Sequence, residues 1–230
     1  MQPHPAAQLH DGDAVGRRGR NMALKRQRIC AAASHLFGEQ HFDSVTIQAI
    51  AEEADVAAGT LFRYASSKAD LLLMAYNAVF ESAISAGAAG AATQMATADA
   101  VMAVIAPTVT AAARNPRNTM VYQRELLFGD AENRFREDGL ALVAQLELVI
   151  ADILAASTPP PNDAAAAITT RQAAHLGARS VFAVLHLLLA NPGAVTEFQP
   201  GSSGYQHLHQ QISQIVVGFR QCPLPHTTKE

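Results

Sequence analysis

Between Lys25 and Leu72 the apolar residues fall into short helical runs separated by brief polar breaks, and this spacing constrains the fold more than any other feature of the chain. Ile29, Ala32, Ala33, Leu36 and Phe37 recur at helical intervals from Lys25 to Gln40, until the stretch EQHFDS interrupts them. Thr46 stands at the cap of a second run, in which Ile47, Ile50, Ala51 and Ala54 share one face. The break DVA follows, and AGTLFRYA begins a further helical turn whose Leu61 and Phe62 can pack back on the first two. Two short helices joined by so tight a turn, with the small Ala51 and Ala54 letting the backbones approach, meet the requirements of a helix-turn-helix. Ser66 or Ser67 can cap a fourth helix, which Lys68 enters and Leu71, Leu72 and Met74 carry forward.

Beyond this region the chain reads as a string of longer helices, from about 69–88, 97–113, 116–128, 131–156, 163–189 and 204–221. The stretches STPPPND and NPGAVTEFQPGSSG are the two clear loops. Alanine and leucine dominate while aromatics reach 6% and tryptophan is absent, a balance that favours helix over sheet, so the fold class expected is all-α. The 230 residues divide into a basic flexible arm over 1–21, a helix-turn-helix unit over 22–68, a larger helical unit over 69–222 and a flexible tail over 223–230. Cys30 and Cys222 are too few and too far apart for a disulfide framework or a zinc-ligand set, which points to a reducing cytoplasm. The N-terminus lacks the apolar centre of a signal peptide, and no unbroken apolar run approaches a membrane span, so no membrane association is expected.

The net charge of -3 averages over a marked asymmetry: residues 14–68 carry eight basic and five acidic side chains, whereas acidic residues are in excess elsewhere. A local basic surface on an acidic chain suits a polyanionic partner, although a basic tail also serves as a plain solubilising arm.

The segments RICAAASHLF, Phe42 after the turn, TIQAIAEEADV, GTLF and SKADLL together resemble the N-terminal DNA-binding domain of the TetR family of bacterial transcriptional regulators, over Arg26–Ala75. The resemblance implies a three-helix domain that reads operator DNA, joined to a larger helical domain that binds a small effector and forms a homodimer. It also implies a cytoplasmic regulator, most often a repressor released by its effector. This chain departs from the pattern at His41 and Asp55, where the family usually has glycine, and at Ala57, where it has a capping serine. Phe62 replaces the usual tyrosine, and Ala65 and Ser66 replace a Phe-Pro pair. Asp tolerates a left-handed backbone, so Asp55 is expected to keep the turn. Ala57 gives up a cap worth roughly 1 kcal/mol. These losses keep open a second reading, a helical ligand-binding or interaction protein with a degenerate, non-binding helix-turn-helix.

On the resemblance, Gly59 allows close approach to the major groove, Thr60 contacts phosphate or a thymine methyl, and Arg63 is the main base reader. Thr46 and Lys68 are assigned to phosphate positioning and Tyr64 to a phosphate hydroxyl contact. The basic arm 17–20 suits a minor groove.

In the larger unit the segment 163–189 is apolar nearly all round and calls for cover on more than one side. A four-helix dimer interface would supply it, through Leu185 and Leu188 there and Ile212 and Ile215 in the last helix. Gln172, His175, Arg179, Phe182 and His186 form a stripe that reads as an effector-pocket wall, a polar network across the dimer, or a partly wet groove. The pocket residues expected are Phe80, Met102, Met120, Phe128, Phe135, His175, Arg179 and Phe182, and the effector is expected to be largely apolar. His175 with His186, and His207 with His209, miss the spacing of helical metal ligands. No G-x-S-x-G, phosphate-binding glycine loop, H-E-x-x-H or paired-carboxylate pattern occurs, so no enzyme activity, cofactor or metal is expected.

Overall fold

The structure is a computed structural model that describes residues 12–94 and 96–221, with side chains from Gly19 onward. Every regular element among them is helical. α1 (Gly12–Glu39), a 3-10 turn (Phe42–Ser44), α2 (Ile47–Glu53) and α3 (Ala58–Leu61) precede α4 (Lys68–Ala91), α5 (Thr97–Ala112), α6 (Pro116–Phe128) and α7 (Arg134–Ala156). α8 (Ala164–Leu189), α9 (Pro192–Thr196) and α10 (Ser203–Gln221) follow.

Side-chain caps explain most of the starts. Thr46 accepts from the Ala49 amide, Asn115 from Asn118, Asn133 from Phe135 and Arg136, and Asp163 from Ala166. Ser67 and Asp70 form a reciprocal capping box at α4. Ala57 leaves α3 without a side-chain cap. Asp55 has φ 51°, so it takes the left-handed turn conformation.

Ile29, Phe37, Ile50 and Leu61 close a small core between α1, α2 and α3, and Leu71 and Leu72 of α4 continue it into the larger unit. α4 packs on α1, α5, α6 and α7. Its closest partner is α5, where a Cβ at Gly87 would run into the Val104 carbonyl. α7 packs on α8, and α10 on both α8 and α5.

The structure corrects several expectations. From Gly12 onward the expected arm is the start of α1. Residues 1–11, the tail 223–230 and Cys222 lie outside the described residues. The second loop contains α9, capped by Asn191 and opened by Pro192. Leu185 and Ile212 point into their own chain, at 1% and 0% exposure, so they cannot form the contact between subunits expected of them. Three helices, Lys68–Ala91, Arg134–Ala156 and Ala164–Leu189, are long and apolar enough on average to cross a membrane, although their apolar runs are broken. In this fold α4 is mostly covered, whereas α7 and α8 each keep only 28% of the apolar window buried.

Candidate nucleic-acid interface and ligand cavity

The helix-turn-helix presents one open surface. Gly59 and Arg63 are exposed, Thr46 is exposed at its cap, and Thr60 is half-buried beside them. A Cβ at Gly59 would meet nothing within 4 Å, so this face of α3 has no neighbour of its own. Hydrogen bonds from Arg63 to Thr60, Tyr64 to Leu61 and Ala65 to Leu61 carry α3 on as helical turns to Ala65. Arg63 makes no ion pair to any described residue. Phe62 is 52% exposed on the same surface, so the ring expected to pack inward stands partly in solvent. Arg28 holds the turn by bonding both the carboxylate (2.9 Å) and the carbonyl (3.2 Å) of Asp55.

Lys68 has a different place from the one expected. Its ammonium donates to the carbonyls of Phe42 (2.9 Å), Asp43 (3.4 Å) and Val45 (3.1 Å) and lies 4.4 Å from the centre of the Phe42 ring. All three of its donors serve the turn between α1 and α2, which leaves none for a phosphate. Tyr64 is half-buried, and its carbonyl accepts from Arg134 at 2.6 Å.

Two side-chain clamps bind this unit to the larger one. Asn118, 1% exposed on α6, accepts from the Phe42 amide (2.7 Å) and donates to the carbonyls of Phe37 (2.7 Å) and Gln40 (2.8 Å). Asn115 donates to the same two carbonyls at 3.0 Å, so the exposed end of α1 is capped by α6. The second clamp is at the start of α7, where Asn133 donates to Asp70 at 2.7 Å beside the Arg134–Tyr64 bond. Burial pushes the Asp70 carboxyl up, but hydrogen bonds from Ser66, Asn133 and Ser67 outweigh it and hold the carboxyl below its ordinary value.

α6 and α7 also wall a narrow, partly open cavity of about 60 Å³. Phe80 and Ile84 of α4, Thr108 of α5, and Phe182, Leu185, His186 and Leu189 of α8 complete the wall. Thr119, Tyr122, Gln123 and Leu126 come from α6, and Gly139, Leu142, Val143 and Leu146 from α7. A Cβ at Gly139 would come within 2.7 Å of Leu126 Cδ1, so only glycine leaves the wall as it is. Behind it Tyr122 donates to Asn77 Oδ1 (2.9 Å) and Asn77 to the Phe135 carbonyl (2.7 Å), tying α6, α4 and α7 together. Burial raises the Tyr122 hydroxyl pKa far above its usual value.

Of the expected pocket residues, Phe80 and Phe182 line this cavity. Met102 and Phe135 are buried in the core away from it, while Met120 and Phe128 are exposed at 42% and 81%. His175 and Arg179 are exposed on α8, and only Phe182 and His186 of the stripe turn inward. Leu188 and Ile215 are partly buried against the core. The groups missed in the sequence are Thr108, Gln123, the two clamps and Leu185 as a cavity wall. Asn115 caps α6 and also bonds to α1 across 78 residues, a contact with no local trace in the sequence.

A helix-turn-helix with an open recognition face is thus joined to a helical unit that holds a narrow, mostly apolar cavity. Residues 29–75 match the family profile described as bacterial regulatory proteins, tetR family. Over these residues the chain matches the DNA-binding domain of the tetR family. The HTH-type transcriptional repressor KstR of Mycolicibacterium smegmatis is 42% identical over 57 residues, which cover 25% of this chain and 28% of KstR. The match therefore spans little more than a quarter of that relative. A TetR transcriptional regulator from Rhodococcus sp. RHA1 superposes with TM-score 0.57 and 18% identity, over 86% of this chain and 98% of its own. FadR from Bacillus subtilis, in complex with stearoyl-CoA, superposes with TM-score 0.51 and 16% identity, over 85% and 97%. At such identities the likeness is one of fold.

Proposed function

We propose that this protein is a TetR-family transcriptional repressor that binds double-stranded operator DNA as a homodimer and leaves it when a small, largely apolar effector fills the cavity. The observation that carries the reading is the unpaired, exposed Arg63 on the open face of α3, in a domain 42% identical to that of a named repressor. An arginine there suits bidentate contact to guanine in the major groove. Thr46, Gly59 and Thr60 flank it, and Lys68 and Tyr64 support the domain from within.

An effector changes DNA affinity only if it binds the two conformations unequally. The same α6 and α7 that wall the cavity hold the DNA-binding unit through Asn118 and Arg134, which supports a path from one to the other. FadR carries stearoyl-CoA, but among the described residues the cavity here has no lysine or arginine in its wall to meet CoA phosphates. The second subunit would cover the faces of α8 and α10 on which Ile168, Leu176, Leu187 and Val217 stand exposed.

Footprinting of the full chain on the promoter beside its own gene tests the reading. Two protected half-sites about one helical turn, ~34 Å, apart are expected. Arg63→Ala should lose ~1–3 kcal/mol on that site and little on random DNA. Absence of protection at low salt would favour the interaction-protein reading instead.

A further inference from the structure

We infer that the cavity selects an uncharged, largely apolar compound bearing a hydroxyl or carbonyl oxygen, and that Thr108 and Gln123 read that oxygen. The inference rests on the cavity being the effector site and specifies what fills it.

Thr108 carries the argument. It lines the cavity at 5% exposure, and its Oγ1 is buried with no hydrogen-bond partner among the described residues. A threonine inside a helix commonly returns its hydroxyl to the carbonyl four residues back. Thr110, two positions on, does so to Ala106 at 3.0 Å, and Thr169 to Ala165 at 3.0 Å. Thr108 does not, so its hydroxyl is left with both donor and acceptor capacity beside the cavity.

The other polar groups sort by whether they are already taken. The Thr119 hydroxyl bonds to Ala112 and Asn115, and that of Tyr122 to Asn77. Gln123 lines the cavity at 8% exposure and is the side chain there that offers an amide beside the orphaned Thr108 hydroxyl. A buried hydroxyl without a partner, as at Thr108, is unfavourable by ~1–3 kcal/mol, so a ligand that supplies the missing partner gains what a hydrocarbon of the same shape cannot.

Charge excludes the ionic alternatives. Among the described residues no Lys, Arg, Asp or Glu lines the cavity. His186 is the one titratable base in the wall, and burial lowers its pKa, so the ring is neutral at neutral pH. A carboxylate, phosphate or ammonium would be desolvated there without a counter-charge. Phe80, Ile84, Leu142, Val143 and Leu146 provide the apolar remainder.

The test is equilibrium dialysis of the full chain at neutral pH against naphthalene, naphthol, acetylnaphthalene and naphthoate, which share one compact skeleton. Naphthol or acetylnaphthalene should bind about tenfold more tightly than naphthalene, and naphthoate should bind most weakly. Thr108→Val and Gln123→Leu should remove that advantage while leaving naphthalene binding in place, which shows that the variants fold. Naphthalene binding as tightly as its oxygenated relatives, or an advantage that survives both substitutions, would overturn the inference and leave the cavity as an apolar effector site, whereas naphthoate binding tightest would overturn the apolar reading with it. A protein that footprints its operator but takes up none of the four probes would overturn the cavity reading as well.

Discussion

Asp70 joins the two units of the chain through one carboxylate. Its Oδ2 accepts from the Ser66 amide (2.7 Å), the Ser66 hydroxyl (2.6 Å) and the Ser67 amide (3.2 Å), and its Oδ1 from Asn133 (2.7 Å). Because these bonds hold the folded-state pKa below the ordinary carboxylate value, the carboxylate stabilises the fold at every pH above that ordinary value, ~3.9. The contribution falls away as pH drops through ~3.9 towards the lower folded value and is gone below it. Urea unfolding across this window should show wild type losing its margin over Asp70→Asn as acid is added, and a constant margin would mean that the bonds do not favour the charged form. Lys68 gives a second prediction of the same scale: Lys68→Met strips a donor from three carbonyls and should lower stability by ~1–3 kcal/mol, with the salt dependence of DNA binding unchanged. A flatter salt slope in a variant of normal stability would restore the phosphate contact that its sequence position suggested. A lysine at a helix start looks alike in either role, since the carbonyls it meets lie 23 to 26 residues away. Asp55 was legible, because the left-handed backbone it adopts is a local property.

At the scale of elements the pattern of apolar residues located almost every helix. The run 116–128 coincides with α6, and 163–189 with α8 to one residue. α9 escaped because five residues opened by Asn-Pro read as loop punctuation. Which side of a helix faces which neighbour was less accessible. α8 is apolar nearly all round, and periodicity cannot say that Leu185 turns into the chain while Leu187, two residues on, is 72% exposed. The pocket residues failed for a related reason: bulky Phe128 and Met120 stand on the outer side of α6, and its cavity side is built from Thr119, Tyr122, Gln123 and Leu126. α6 is therefore a rod with a cavity wall along one side and a clamp on α1 at its start. Asn118→Ala would leave the Phe42 amide without its partner, while the Phe37 and Gln40 carbonyls keep Asn115. Hydrogen exchange should then accelerate at the Phe42 amide while the amide of Ile50, bonded to Thr46, keeps its protection. Unchanged exchange at Phe42 would show that Asn115 suffices to hold the junction.

The whole molecule leaves two of its long apolar helices, α7 and α8, largely uncovered, and a second copy of the chain is the occupant that the account assigns to α8 and α10. Leu176 and Leu187 are 54% and 72% exposed on that face. Leu176→Glu and Leu187→Glu should each convert the dimer to monomer in sedimentation velocity, because an unpaired carboxylate in a dry contact is costly. A dimer that persists in both would place the interface elsewhere. A dimer also sets what the protein can read, since two α3 helices related by a twofold axis demand a site with the same symmetry. Selection of bound sequences from a pool of random duplex DNA by the full chain tests this most directly. The account predicts one enriched motif, nearly palindromic, with half-sites about one turn of DNA apart and a guanine in each whose enrichment disappears with Arg63→Ala. A pool that emerges without sequence preference, or a motif unaffected by Arg63→Ala, would contradict it.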